Sequence, residues 1–430
     1  MNYQSMSNEQ LLKILDTEKV KFDIFKNDGV KLDMARGKPG ADQLDISQDI
    51  LNVISCNEDC FADGVDCRNY GGLEGIDSAR KLFADLFEVD FDKVIVGGNS
   101  SLNMMYDTIA RAFTFGFCDS VRPWSKEDKI KFLCPAPGYD RHFSICQLFG
   151  IEMISVPMNN DGPDMDIIKE YVNNDSSVKG VWCVPKYSNP TGVVYSDDVI
   201  RSFASLSPAA PDFRLFWDNA YAVHDLYEPI KILNIIDECE KAGNPNMPIM
   251  FSSTSKISFP GSGVAVMISS VENLNYMKKQ MTVQSIGPDK INQLRHVRYF
   301  KSKDGILDYM KKHAAILRPK FEAVIQELEN ELGDTGVATW TKPRGGYFIS
   351  FDSTVGVASD VYALCVEAGL TLTKVGDTFP YGNDPENTNI RIAPSFPSVE
   401  QLKAAVERFI VCVKIASIEK ILSERNNRAV

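Results

Sequence analysis

No stretch of this 430-residue chain approaches the roughly 20 consecutive apolar residues that a membrane-spanning helix needs. The N-terminus carries Asn, Gln, Glu and Asp where a secretory leader would need an apolar core. Positive charge is also short: 46 Lys and Arg stand against 58 Asp and Glu, a formal net charge of -12, so no generic surface for nucleic acid or anionic membrane is expected. The ten cysteines lack the paired spacing of a disulfide framework. Only Cys56, Cys60 and Cys67 cluster, and no second pair or nearby histidine completes a four-ligand zinc set, so no metal is expected. Internal repeats and low-complexity tracts are missing too. What remains is a composition of 44% hydrophobic and 24% charged residues, that of an ordinary globular protein, at a length that divides into two folding units. The reading is a cytoplasmic enzyme.

From about residue 90 to 270, short apolar runs alternate with amphipathic stretches: 94–96, 130–133, 151–156, 178–184, 213–217, 249–251 and 264–268. That rhythm predicts an α/β fold, and runs so continuously apolar suit strands covered on both faces of a mostly parallel, doubly wound sheet. Ligands of such sheets gather beyond the carboxyl ends of the strands, so the residues that come directly after the runs are the first candidates for function. After about residue 300 the texture changes to a long helix around 309–332, a strand-like Gly345-Gly-Tyr-Phe-Ile-Ser-Phe351, a helix over 359–368 and a C-terminal helix from Val399. The expected division is an N-terminal arm (1–45) packing with the small domain, a large domain (46–300) and a smaller α+β domain (301–430).

The segments that come after the strands carry a coherent chemistry. An aldehyde cofactor needs an amine that is deprotonated often enough to attack, a counter-charge on its ring, a phosphate anchor and a clamp for the substrate carboxylate. Lys256, in Ser252-Ser-Thr-Ser-Lys256, is the candidate amine. Asp218, after Phe213-Arg-Leu-Phe-Trp217, stands where a carboxylate can pair with a protonated ring nitrogen, although a helix cap would use the same residue type. Tyr221, three residues on, and Asn189 in Asn-Pro-Thr-Gly can donate to a ring hydroxyl oxygen. Gly97-Gly-Asn-Ser-Ser101 ends a strand and opens a helix, so Asn99, Ser100 and Ser101 offer hydroxyls, amide N–H groups and a helix dipole to a phosphate. Tyr139 comes after a Pro-Ala-Pro-Gly loop and can stack on a ring. Arg391, in the apolar run Asn389-Ile-Arg-Ile-Ala-Pro394, would be costly to bury without an anionic partner, which a substrate carboxylate or a structural acid can be.

In order and spacing these segments resemble the class I aminotransferases of pyridoxal-phosphate (PLP) fold type I along most of the chain. The family's glycine-proline substrate loop matches Gly37-Lys-Pro39. Its tyrosine before a glycine-rich turn matches Tyr70 in Tyr-Gly-Gly-Leu-Glu-Gly75, its Asp-x-Ala-Tyr matches Asp218 to Tyr221, and its Ser-x-Ser-Lys matches Ser253 to Lys256. The resemblance implies that Lys256 carries PLP as a Schiff base and shuttles the proton. It further implies that Asp218 holds the ring nitrogen, that Asn189 and Tyr221 bind the ring hydroxyl, and that Ser100, Ser101 and Ser253 hold the phosphate. Gly37, Asn189 and Arg391 would meet the substrate. Tyr70 would reach the neighbouring subunit's phosphate, making the enzyme a homodimer with shared sites.

One departure stands out: the family's phosphate-binding arginine, about eight residues after the lysine, is replaced here by Pro260-Gly-Ser-Gly-Val264. Ser255, Ser262, glycine backbone or Lys290 would have to compensate. Ala35 to Gly40, Arg68 to Gly72 and Ser285 to Arg295 are similar to the atypical bacterial aspartate aminotransferases of subgroup 1c. The expected reaction is ping-pong transamination between an amino acid and a 2-oxo acid, with aspartate and 2-oxoglutarate as the pair. A second cation for a side-chain carboxylate is open among Arg36, Lys38, Arg141, Lys290 and Arg295. Rival chemistry on the same lysine and aspartate is C–S β-elimination or decarboxylation. A PLP-sensing regulatory domain would need a DNA-binding unit ahead of it, and only about 45 residues precede the catalytic pattern.

Overall fold

Alternate residues of each apolar run belong to opposite faces of one sheet, and two separate cores form as a result. Val181, Cys183, Leu215 and Trp217 enter the core on one side, while Trp182, Phe216, Phe251 and Phe132 enter the core on the other. A period of two with both phases apolar is what a sheet covered on both faces requires. The structure, a computed structural model, describes residues 2–428; residue 1 and residues 429–430, the outer ends of the expected arm and small domain, lie outside the described residues.

The central sheet has eight strands: β1 (Val94–Val96), β2 (Lys131–Ala136), β3 (Glu152–Asn159), β4 (Gly162–Pro163), β5 (Val178–Cys183), β6 (Arg214–Asp218), β7 (Pro248–Ser253) and β8 (Ala265–Ser269). Their spatial order is β1-β8-β7-β6-β5-β2-β3-β4. Strands β7, β6, β5, β2 and β3 run parallel. Strand β8 runs antiparallel between β7 and β1, and β4 pairs antiparallel with β3. Register sets Asp218 beside Phe251 across β6 and β7, so the segments leaving both strands emerge at one edge.

Helix α1 (Asn8–Asn27) opens on Ser7 and Gln10, each side chain satisfying the other residue's backbone N–H. Its Leu11, Leu15 and Phe22 share a core with Val406, Phe409 and Val413 of the C-terminal helix. Helices α2 (Ser101–Phe115) and α3 (Asp140–Leu148) start directly after β1 and β2, and α4 (Lys290–Phe300) precedes the 30-residue α5 (Lys303–Leu332). A three-stranded antiparallel sheet of β9 (Ala338–Trp340), β10 (Ile349–Ser353) and β11 (Asn389–Ile392) comes next, and helix α6 (Val399–Arg428) ends the chain. Among the described residues no helix is long and apolar enough to cross a membrane.

Candidate active site

Lys256 ends a single helical turn that leaves β7, and the protein packed round its amine pushes its pKa below the usual lysine value, with Asp218 pulling the other way. The amine lies 4.9 Å from the centre of the Tyr221 ring. Tyr221 is itself buried, and burial first, then the charges of Tyr139 and Asp218, holds its phenol well above the ordinary range, so it stays a donor.

Asp218 ends β6 and is 3% exposed. Its Oδ2 accepts from His142 Nε2 at 3.1 Å, while its Oδ1 is buried with no hydrogen-bond partner among the described residues. A buried carboxylate oxygen without a donor is costly, so Oδ1 is placed to accept from a bound group. His142 lies face to face with Trp182 at 4.3 Å and edge-on to Tyr139 at 5.0 Å. Sequence reading missed His142, although it stands three residues after Tyr139 and therefore sits one turn on at the start of α3.

Ser100 caps α2 by accepting from the Asn103 N–H at 3.3 Å, and Ser101 is the first helical residue. Ser253 Oγ donates to Ser255 Oγ at 3.1 Å, Ser255 Oγ donates to the Asn99 carbonyl at 3.2 Å, and Asn99 Nδ2 reaches the Gly261 carbonyl at 3.3 Å. The loop after β1 and the lysine segment thus form one hydroxyl-rich cradle. A Cβ added at Gly98 or Gly261 would meet nothing within 4 Å, so the cradle stays open on both sides.

Arg391, on β11, is 9% exposed. Its guanidinium lies 4.8 Å from the centre of the Phe348 ring and donates to Asn189 Oδ1 at 3.3 Å and to Asp140 Oδ1 at 3.2 Å. Gly37 presses on the same Phe348 ring, and a Cβ there would come within 2.1 Å of it. The structure therefore brings these residues together: Lys256 faces Tyr221, Tyr139 meets His142 and through it Asp218, Asn189 and the Phe348 ring under Gly37 hold Arg391, and the charge of Arg391 is felt at both Tyr139 and Tyr221.

Tyr70 is the exception. Its side chain is 81% exposed, and the adjacent Gly71 carbonyl accepts from Lys290 Nζ at 2.7 Å, so within one subunit the ring has no packing role. Of the cations left open, Lys290 gives one of its three N–H donors to that carbonyl, Lys38 lies over the Phe396 ring at 3.9 Å, and Arg36 and Arg141 are exposed. Arg295 is half-buried with a partnerless Nε. Ser262 donates to Asn292 at 3.3 Å.

Behind the lysine runs a polar support that motif reading did not find. Tyr347 Oη donates to the Lys256 carbonyl at 3.2 Å, as does His224 Nε2 at 3.3 Å. Gln43 Nε2 donates to Tyr347 Oη at 2.9 Å and to His313 Nδ1 at 2.9 Å. Gly345 permits this approach, because a Cβ there would sit 2.2 Å from Tyr187 and 2.4 Å from the His224 carbonyl.

The chain is similar to known proteins along most of its length. A curated aspartate aminotransferase of Corynebacterium glutamicum is 47% identical over 97% of this chain and 97% of its own length. The crystal structure of an aspartate transaminase from the same organism superposes with a TM-score of 0.95, covering 98% of this chain and 99% of that one. The α-aminoadipate aminotransferase LysN of Thermus thermophilus shares the fold at a TM-score of 0.71 and 19% identity, covering 91% and 93% of the two chains. The family model described as aspartate amino-transferase matches residues 6–425, a span that contains all of these residues. The chain is an aminotransferase and belongs to the aspartate aminotransferase family.

Proposed function

We propose that this aminotransferase holds PLP on Lys256 and exchanges the amino group between aspartate and 2-oxoglutarate as a homodimer. The observation that carries the reading is the buried, partnerless Oδ1 of Asp218, which offers a carboxylate to a protonated ring nitrogen near the amine of Lys256. When bound, PLP supplies the electron sink that lets an amino acid lose its α-proton. The donor set around that place fits the cofactor. His142 fixes one oxygen of Asp218 and so aims the other. Asn189 has its Oδ1 engaged by Arg391, which leaves its amide N–H groups free to donate to a ring hydroxyl beside the Tyr221 phenol. The cradle of Asn99, Ser100, Ser101, Ser253 and Ser255 at the positive end of α2 suits a phosphate.

Burial lowers the proton affinity of Lys256 Nζ against the opposing pull of Asp218, which shifts the amine toward the free base that accepts the substrate's α-proton. Arg391 orients the substrate by its α-carboxylate, and Gly37 and Phe348 shape the wall beside it. With no arginine after the lysine, Tyr70 extending from a second subunit is the added phosphate contact we assign, which accounts for its exposure. Ten unpaired cysteines fit a reducing cytoplasm. The test is to track the visible band of the lysine-bound cofactor while aspartate and then 2-oxoglutarate are added, with oxaloacetate measured in parallel. Bleaching by aspartate, recovery with the oxo acid and loss of both in Lys256→Ala are expected. A band that aspartate leaves unchanged would refute the substrate assignment, and a wild-type protein that forms no such band would refute the cofactor assignment.

A further inference from the structure

The two edges of the Arg391 guanidinium are occupied differently, and the meaning of that difference rests on the reading that this arginine grips the substrate's α-carboxylate. Nε and Nη2 donate to Thr373 Oγ1 at 3.2 and 3.1 Å, and Thr373 Oγ1 donates in turn to the Ala35 carbonyl at 3.1 Å. That hydroxyl therefore has its proton committed and its lone pairs turned to the arginine, which pins this edge to a neutral acceptor. The other edge carries Asp140, the one carboxylate within ion-pair distance of Arg391 among the described residues, at 3.2 Å from Nη1. A carboxylate gripped through Nη1 and Nη2 must arrive on the side where Asp140 stands.

Asp140 is built to leave. It is the first residue of α3, where the helix dipole stabilises its charge whether or not Arg391 does. Its side chain is 30% exposed, and its other cation, Arg141, is 3.9 Å away and 62% exposed. Arg391, by contrast, is enclosed between the Phe348 ring and the Asn189 loop, where a guanidinium without an anion is strongly disfavoured.

We propose that Asp140 is a built-in stand-in for the substrate carboxylate: it pairs with Arg391 before substrate arrives, yields its place to the incoming amino or 2-oxo acid, and by competing sets the affinity for both. One carboxylate leaves as another arrives, so the arginine stays paired throughout the cycle. Asp140 acts through Arg391 and is a specificity-setting residue with no part in proton transfer.

The test uses the PLP-loaded enzyme and succinate, a dicarboxylate with no amino or keto group to react, titrated by its effect on the cofactor spectrum. In Asp140→Asn the succinate Kd should fall roughly fivefold, the scale of a part-exposed ion pair, and the KM values for amino acid and oxo acid should fall by a similar factor. Asp140→Glu keeps the charge and should return the Kd toward the wild-type value. Unchanged or weaker succinate binding in Asp140→Asn overturns the proposal, as does a Glu variant that binds as tightly as the Asn variant. Arg391→Ala separates the two readings. If it binds succinate like wild type, the assignment of Arg391 itself falls. If it loses succinate while Asp140→Asn gains nothing, only the role of Asp140 falls.

Discussion

Adding one methyl group at Gly37 should damage substrate binding through the Phe348 ring that backs Arg391. A Cβ at Gly37 would lie 2.1, 2.5 and 3.0 Å from Cζ, Cε1 and Cε2 of Phe348. The ring must retreat by roughly 1.3 Å to regain ordinary contact, and it is 5% exposed in a core with Tyr347, Ile349 and Phe351, so there is little room behind it. Overpacking of this kind costs about 1–3 kcal/mol, enough to lower Tm by a few degrees in a chain this size. The larger effect is on Arg391, whose guanidinium rests on the Phe348 face and whose hydrogen bonds already lie at 3.1 to 3.3 Å. A shift that breaks one charge-assisted bond to a substrate carboxylate removes about 1.5–3 kcal/mol, roughly a 10- to 100-fold loss in kcat/KM. Because a ping-pong cycle uses the same arginine for both substrates, KM should rise together for the amino acid and the oxo acid. Steady-state kinetics with each substrate varied in turn is the assay, and Phe348→Leu in the Gly37→Ala background should recover part of the loss by making room. A Gly37→Ala enzyme with wild-type kcat/KM and Tm would refute the chain of contacts from Gly37 through Phe348 to Arg391.

His142→Phe keeps the stack on Trp182 but strips Asp218 of its donor; PLP affinity, measured by cofactor titration, should fall about 10- to 100-fold, since bonds to charged groups carry about 1.5–3 kcal/mol. Acid should destabilise the protein through two histidines held neutral by burial: the imidazoles of His296 and His313 are pushed down to about 4 from an unfolded value of 6.5. Between those values the unfolded chain binds more protons than the folded one, so stability is full above about pH 6.5 and falls as pH drops toward about 4, by on the order of 3 kcal/mol per histidine. Urea unfolding at about pH 7, 5.5 and 4.5 measures it, and a flat profile would contradict the neutral assignment. For His296 geometry fixes the tautomer, because Nδ1 faces the Asn292 carbonyl at 2.7 Å and must carry a proton, so in the neutral ring Nε2 is the acceptor beside the Ser258 hydroxyl at 2.7 Å. Tyr347→Phe removes one of two donors to the Lys256 carbonyl and should lower kcat a few-fold with little change in KM, the signature of a misplaced lysine.

The strands and the segments directly after them were legible because their signal is local. Apolar runs at 94–96, 178–184 and 249–251 announce strands whatever surrounds them, and the bounds observed differ from the runs by a few residues at most. Asn99 to Ser101, Tyr139, Asn189, Asp218, Tyr221 and Lys256 sit at or after the ends of central-sheet strands, so the sheet gathers them at one edge without long-range knowledge, whereas Gly37, Tyr70 and Arg391 were named only from the family resemblance or from the cost of burying a guanidinium. The residues that escaped are those whose roles exist only across the fold. Gln43 and Tyr347 lie 304 positions apart and meet through one hydrogen bond, and Thr373 and Asp140 approach Arg391 from segments 18 and 251 positions away. Nothing in the composition around Asp140 distinguishes a carboxylate that faces an arginine from one that merely opens a helix, and the first-turn position favours the latter on frequency alone.

The same contrast explains why the missing phosphate arginine is informative. A local motif can lose one cation only if charge is met by groups that the motif does not contain, and within this chain the nearby candidates are partly engaged: Lys290 gives one N–H to the Gly71 carbonyl, Ser262 donates to Asn292, and Ser253 and Ser255 donate within the cradle. What stays free to donate is the N-terminal end of α2 with the Ser100 hydroxyl, and Tyr70 projecting into solvent. If both act on the phosphate, Tyr70→Phe should weaken PLP binding about 10- to 100-fold, the scale of one hydrogen bond to an ionised group, and the loss should vanish in a protein diluted to monomers. Equilibrium dialysis of PLP across the dimer dissociation range measures this. A Tyr70→Phe protein that binds PLP as wild type does while dimeric would leave the cradle alone to hold the phosphate and remove the structural reason for shared sites.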